Sequence, residues 1–129
     1  MRIRENYKAL MNAALRDIKI ARHTTTAKEI FTEEVCIHCQ QCAEKALKSF
    51  LDFNTVDYPF IHDLEKLNSE CVRIDNAFSQ LNISCAILNN YSSDFRYIDN
   101  SEILLDEMYE AIKLAEEVYS FVKAKIKED

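Results

Sequence analysis

No glycine occurs anywhere in the 129 residues, and Pro59 is the single proline. Glycine supplies the positive-φ positions and the close backbone approach on which phosphate-binding loops depend. Neither the G-x-G-x-x-G dinucleotide fingerprint nor the G-x-x-x-x-G-K-[ST] nucleotide loop can therefore be written in this chain. The same absence favours an all-helical fold, with turns built from Asn, Asp and Ser.

The length suits one domain spanning 1–129 with a real core. At 48% hydrophobic and 29% charged residues, the composition is that of a globular chain. No apolar run reaches the roughly 18 residues of a membrane span. "MRIRENYKAL" lacks the apolar core of a secretory leader, so no membrane association and a cytoplasmic location are expected. The five cysteines, an odd number, argue against a disulfide framework.

A formal charge of −6 repels phosphate backbones on average, so nucleic-acid binding would need a local basic patch. Arg2, Arg4 and Lys8, and then Arg16, Lys19 and Arg22, are the candidates. Lys123, Lys125 and Lys127 are more simply read as cations complementing a helix C-terminus.

Apolar spacing predicts a first helix over 4–23, with Tyr7, Leu10, Met11, Ala14, Ile18 and Ala21 on one face. The second is expected over 32–53, with Thr32 as its N-cap and Glu33 and Glu34 in its first turn. A short third helix over 62–74 and a fourth over 76–90 follow. Asp99 and Glu102 suggest a capping box for a long last helix carrying Leu104, Met108, Ala111, Ala115, Val118, Val122 and Ile126. The expected fold is an antiparallel up-and-down bundle of about five helices, with a four-helix-bundle-like core.

"CIHCQQC", residues 36–42, spaces three cysteines as an iron–sulfur run does. On a helix, at about 100° per residue, Cys36, Cys39 and Cys42 share one arc with Val35, Ala43, Ala46, Leu47 and Phe50. A regular helix spreads those thiols over about two turns, whereas a cluster needs backbone wrapped around it. Neither Cys71 nor Cys85 precedes a proline. The thiols are read as packing residues, and no metal site or cofactor is expected. His38, Gln41, Lys45, Lys48 and Asp52 fall on the opposite, polar face. Gln40, Gln41, Glu44 and Lys45 are either a solvated strip or one that bonds across a protein contact.

Three segments carry a family resemblance in order along the chain. "CIHCQQCAEKALKSFL" resembles the second helix of the HEPN domain family, named for nucleotide binding in higher eukaryotes and prokaryotes. "HDLEKL", from His62 to Leu67, resembles the start of that family's third helix. "YSSDFRY", from Tyr91 to Tyr97, resembles the segment before its last helix. The resemblance implies a helical bundle, commonly a homodimer, often encoded beside a minimal nucleotidyltransferase in a toxin–antitoxin-like pair. Many relatives are metal-independent ribonucleases whose signature is Arg, four to six residues, then His. Here Arg96 matches the arginine, but positions 101–103 are Ser, Glu and Ile, and no histidine follows His62. Arg16 and His23 satisfy the spacing in the wrong helix.

No catalytic residue is assigned from the sequence. The candidate binding residues are Arg96 and Tyr97, for a phosphate and a base, and His62 and Asp63 at the start of the third helix. The leading expectation is a small dimeric, nucleotide-associated partner of a separate nucleotidyltransferase, without catalysis of its own. The alternatives are a divergent metal-independent ribonuclease using His62 or Arg96, and a structural bundle with unrelated partners.

Overall fold

The computed structural model describes residues 6–58, 61–92 and 102–126, and these contain helices and no strand. Helix α1 spans Asn6–Thr24, α2 Thr32–Phe53, α3 Leu64–Ile74, α4 Asn82–Leu88 and α5 Leu105–Lys125. Two 3-10 turns, Asn76–Leu81 and Asn89–Tyr91, flank α4. The expected helical bundle is what forms. Among the described residues, no helix is long and apolar enough to cross a membrane.

The α1 helix runs antiparallel to both α2 and α5. The Ser49 hydroxyl, near the end of α2, donates to the Tyr7 carbonyl at 2.8 Å. Ten residues on from Tyr7, Asp17 meets Lys45 and His38, earlier in α2. Arg22 near the end of α1 pairs with Glu116 in the middle of α5. The α2 helix is the axis of the bundle, and fourteen of its 22 residues are buried. Phe78, wholly buried, stacks on Phe50 of α2 at 4.3 Å and meets Phe121 of α5 edge-on at 4.9 Å, locking three elements together.

Polar side chains supply the punctuation that glycine usually gives. The Thr24, Thr25 and Thr26 hydroxyls donate to the carbonyls of Ile20, Arg22 and His23, closing α1. Helix α2 ends in a Schellman motif: Thr55 N–H reaches the Asp52 carbonyl and Val56 N–H the Leu51 carbonyl, each at 2.9 Å. The left-handed position falls to Thr55, at φ 55°. A β-branched residue is costly there.

Several boundaries differ from the sequence reading. Thr32 is the first helical residue of α2. The N-cap is Phe31, which has no side chain to do the capping. The third helix begins at Leu64, because Asp63 accepts the N–H groups of Glu65 and Lys66 and so serves as its N-cap. The expected fourth helix is broken. Asp75 caps Ala77 N–H to start a 3-10 turn. Asn68, buried, takes the Phe78 carbonyl at 3.0 Å, while Asn82 N–H goes to Ser79. The α ladder thus starts afresh at Asn82. Helix α5 begins at Leu105, where Glu107 accepts the Leu104 N–H at 3.1 Å. Glu102 precedes the helix, and Asp99, like Pro59, lies outside the described residues.

All five thiols are buried and unbridged. Burial pushes Cys36, Cys42 and Cys85 up to about 12 from 9.0, and raises Cys39 and Cys71 as well. The carboxylates of Asp17 and Glu116 add to the rise at Cys39 and Cys42, as expected for residues wedged between α1 and α5. Among the described residues, no group of three or more His, Cys, Asp or Glu is arranged to hold a metal ion.

Three outcomes follow for stability. Cys36→Ala/Cys39→Ala/Cys42→Ala should keep the helical fold and lose about 1 kcal/mol per removed sulfur in urea unfolding. Above pH 9 the unfolded thiols ionise while the folded ones keep their protons. Wild-type stability should therefore fall as pH rises from 9 toward 12, less steeply in the triple variant. Thr55→Gly should raise stability by about 1 kcal/mol by removing the strained Cβ.

Candidate functional site

A connected polar group gathers on the side of α2 that meets the start of α3. Gln40, Glu44 and Lys48 follow one another at steps of four, so they line up along one ridge of α2. All three are buried. Across from them is His62, two residues before α3 begins. Its Nδ1 lies 3.0 and 3.1 Å from the two Glu44 carboxylate oxygens. Lys48 Nζ donates to Glu44 Oε2 at 2.9 Å. Gln40 Nε2 lies 3.3 Å from Glu44 Oε1 and donates to the His62 backbone carbonyl at 3.0 Å.

The burial is graded. Glu44 and Lys48 side chains are 11% and 10% exposed, while the His62 ring is 60% exposed. A buried carboxylate needs compensation, which Lys48 provides at one oxygen. The carboxylate accepts, so Nδ1 carries the proton in neutral His62, and the lone pair is on Nε2. Lys48 also stands 5.9 Å over the Tyr58 ring.

Asp63 does not face His62. Its carboxylate caps α3 and accepts from Asn89 Nδ2 at 2.9 Å. The Asn89 bond and the two backbone N–H groups hold the Asp63 carboxyl below its ordinary 3.8. Asn89 Oδ1 in turn accepts Leu64 N–H at 2.8 Å. Asp63 therefore sets where α3 starts and hence where His62 stands. Of the four residues singled out in the sequence, His62 and Asp63 are adjacent in structure with separate duties. Arg96 and Tyr97 lie outside the described residues.

A second buried carboxylate sits on another face of α2. Asp17 of α1 accepts Lys45 Nζ at 2.6 Å and lies 2.9 Å from His38 Nδ1. The polar face of α2, read either as a solvated strip or as one bonding across a protein contact, is largely enclosed within the chain: Gln40, Glu44, Lys48 and Asp52 are buried, and His38 and Lys45 are half-buried. The sequence reading missed Glu44 and Lys48 as partners of His62. The available signal was their four-residue step, which aligns an acid and a base. Their pairing with a histidine eighteen residues on is a tertiary event.

Removing the bridging charge tests this geometry. Glu44→Gln leaves Lys48 buried without its anion, and should cost about 3 kcal/mol in equilibrium unfolding. Near-complete retention of stability would mean that the charge is not held in a dry site.

Comparison with known proteins agrees with this architecture. The HEPN domain model matches residues 7–125. A solved structure described as that of ST0689, an archaeal HEPN homologue, superposes with a TM-score of 0.73 at 25% sequence identity, covering 98% of this chain and 100% of that one. No curated protein matches the chain. With the family model spanning nearly every described residue, and a helical bundle matched end to end, the chain belongs to the HEPN domain family.

Proposed function

We propose that this chain acts on RNA as a divergent, metal-independent ribonuclease, with His62 as its proton-transfer group. The observation that carries this reading is the exposed His62 ring held at Nδ1 by the buried Glu44 carboxylate. That arrangement presents the Nε2 lone pair as the basic atom. Neutral His62 takes the proton from an RNA 2′-hydroxyl. The 2′-oxygen attacks the adjacent phosphorus, the P–O2′ bond forms and the P–O5′ bond breaks. Water supplies the proton to the departing 5′-oxygen, leaving a 2′,3′-cyclic phosphate and a 5′-hydroxyl. Glu44 is the positioning residue, and Lys48 donates to its second oxygen. Arg96 and Tyr97 are proposed to hold the phosphate and a base. Homodimer formation belongs to the same proposal.

A second reading has its own support. Arg96 is not followed by the histidine that ribonucleases of the family carry. Leu104, Leu105 and Tyr109, at the start of α5, are 63%, 50% and 52% exposed, an apolar patch that suits a protein contact. On this reading the chain is the non-catalytic partner of a separate nucleotidyltransferase.

Incubation of the purified chain with mixed RNA in excess EDTA separates the two. The first reading expects 2′,3′-cyclic phosphate ends, with the rate falling about 100-fold or more in His62→Ala. Intact RNA across pH 5–9, with recovery of a nucleotidyltransferase on the immobilised chain, would replace it by the second.

A further inference from the structure

Helix α1 carries an unbalanced charge. Its cations are Lys8, Arg16, Lys19 and Arg22, and its one acid is Asp17. Asp17 is 5% exposed and engaged by Lys45 and His38, so it does not offset them at the surface. All four cations are exposed. At about 100° per residue they fall within one arc of roughly 120°, and from Lys8 to Arg22 they extend about 21 Å along the helix. The chain as a whole has 22 acids against 16 bases, so this stripe runs against the overall sign.

Beside the stripe, α1 and α5 leave an open groove of about 500 Å³. Tyr7, Lys8 and Asn12 line it from α1, and Tyr119 and Lys123 from α5. Met11 and Leu15 make its floor apolar. The Tyr7 ring is braced edge-on by Phe53 at 5.0 Å, so its orientation is set in advance. Glu116, the acid of α5 that meets α1, pairs with Arg22. The groove thus joins two lysines, an amide and two aromatic rings to a line of further cations.

We propose that this groove and the α1 stripe bind a single strand of RNA, with phosphates along Lys8, Lys19 and Lys123 and a base against Tyr7 or Tyr119. Aromatic faces beside a cationic track are what a single strand recognises, whereas an acidic peptide would use the cations and leave the rings idle. The site is separate from His62, since α1 packs on the face of α2 bearing His38 and Lys45, and His62 on the face bearing Gln40 and Glu44. It would hold a strand without being the place of cleavage. The identity of the strand rests on the RNA reading above. The test reads binding and not cleavage, so the two fail separately.

The probe is a dye-labelled 2′-O-methyl oligoribonucleotide of about ten nucleotides, which lacks the attacking hydroxyl. Fluorescence anisotropy across a salt series should show binding that weakens with a log–log slope of about 2, for three phosphates neutralised. Lys8→Glu/Lys19→Glu/Lys123→Glu should lower affinity at least tenfold and flatten the slope. Tyr119→Leu should lower affinity with the slope unchanged, each variant being checked for its native helical signal by circular dichroism. Three results would overturn the proposal: no binding by the wild type at low salt, an equal loss from Arg73→Glu on α3, or displacement by polyglutamate as effective as by unlabelled RNA.

Discussion

Burial of α2 on most of its circumference governs this structure. A helix at the centre of a small bundle has little solvent face, so every polar side chain it carries must find a partner inside the protein. Three thiols with Ala43 and Ala46 solve this on one side by having little to satisfy and by allowing close approach. On the other sides the solution is electrostatic. Glu44 bridges Lys48 and His62, and Asp17 reaches in from α1 to bridge Lys45 and His38. Each arrangement joins one carboxylate, one ammonium and one imidazole, and each fastens a neighbouring segment to α2.

The two arrangements differ in access, and that is why the proposed function rests on His62. His38 is 27% exposed and sits in the seam between α1 and α2, while His62 is 60% exposed at the mouth of a connector. A largely exposed ring held at Nδ1 by a buried acid has the form of a proton-transfer group. Asp63, one residue on, has no part in the chemistry proposed for His62. By capping α3 and holding Asn89 it sets the position from which His62 meets Glu44.

Loss of glycine from the whole chain has visible consequences in how elements end. Threonine hydroxyls close α1, an Asp caps α3, another Asp starts the turn before α4, and Thr55 takes a left-handed position at the end of α2. Each substitutes a side-chain hydrogen bond, or tolerated strain, for backbone freedom. Helix ends made this way are specific but displaced by a few residues from where apolar spacing alone would put them. This is why α3 begins at Leu64 and the fourth helical stretch is split into a 3-10 turn and an α-helix that starts at Asn82.

Sequence alone determined the helical class, the extent of α2, the inward direction of Cys36, Cys39 and Cys42, and the family that "AEKALKSFL" and "HDLEKL" resemble. Those properties depend on local spacing and on the chemistry of single residues, which a linear text records. Tertiary structure decided the fate of the polar residues. Gln40 and Glu44 read as part of a strip that is solvated or bonds across a protein contact, and Lys48 as a polar-face residue, because a wheel shows which residues share a face and not what lies against it. Only packing against α3 turned that strip into a buried bridge to His62, and only packing against α5 turned the outer face of α1 into the wall of a groove. Both depend on contacts between residues far apart in sequence, whose strength comes from excluding water once the helices have met.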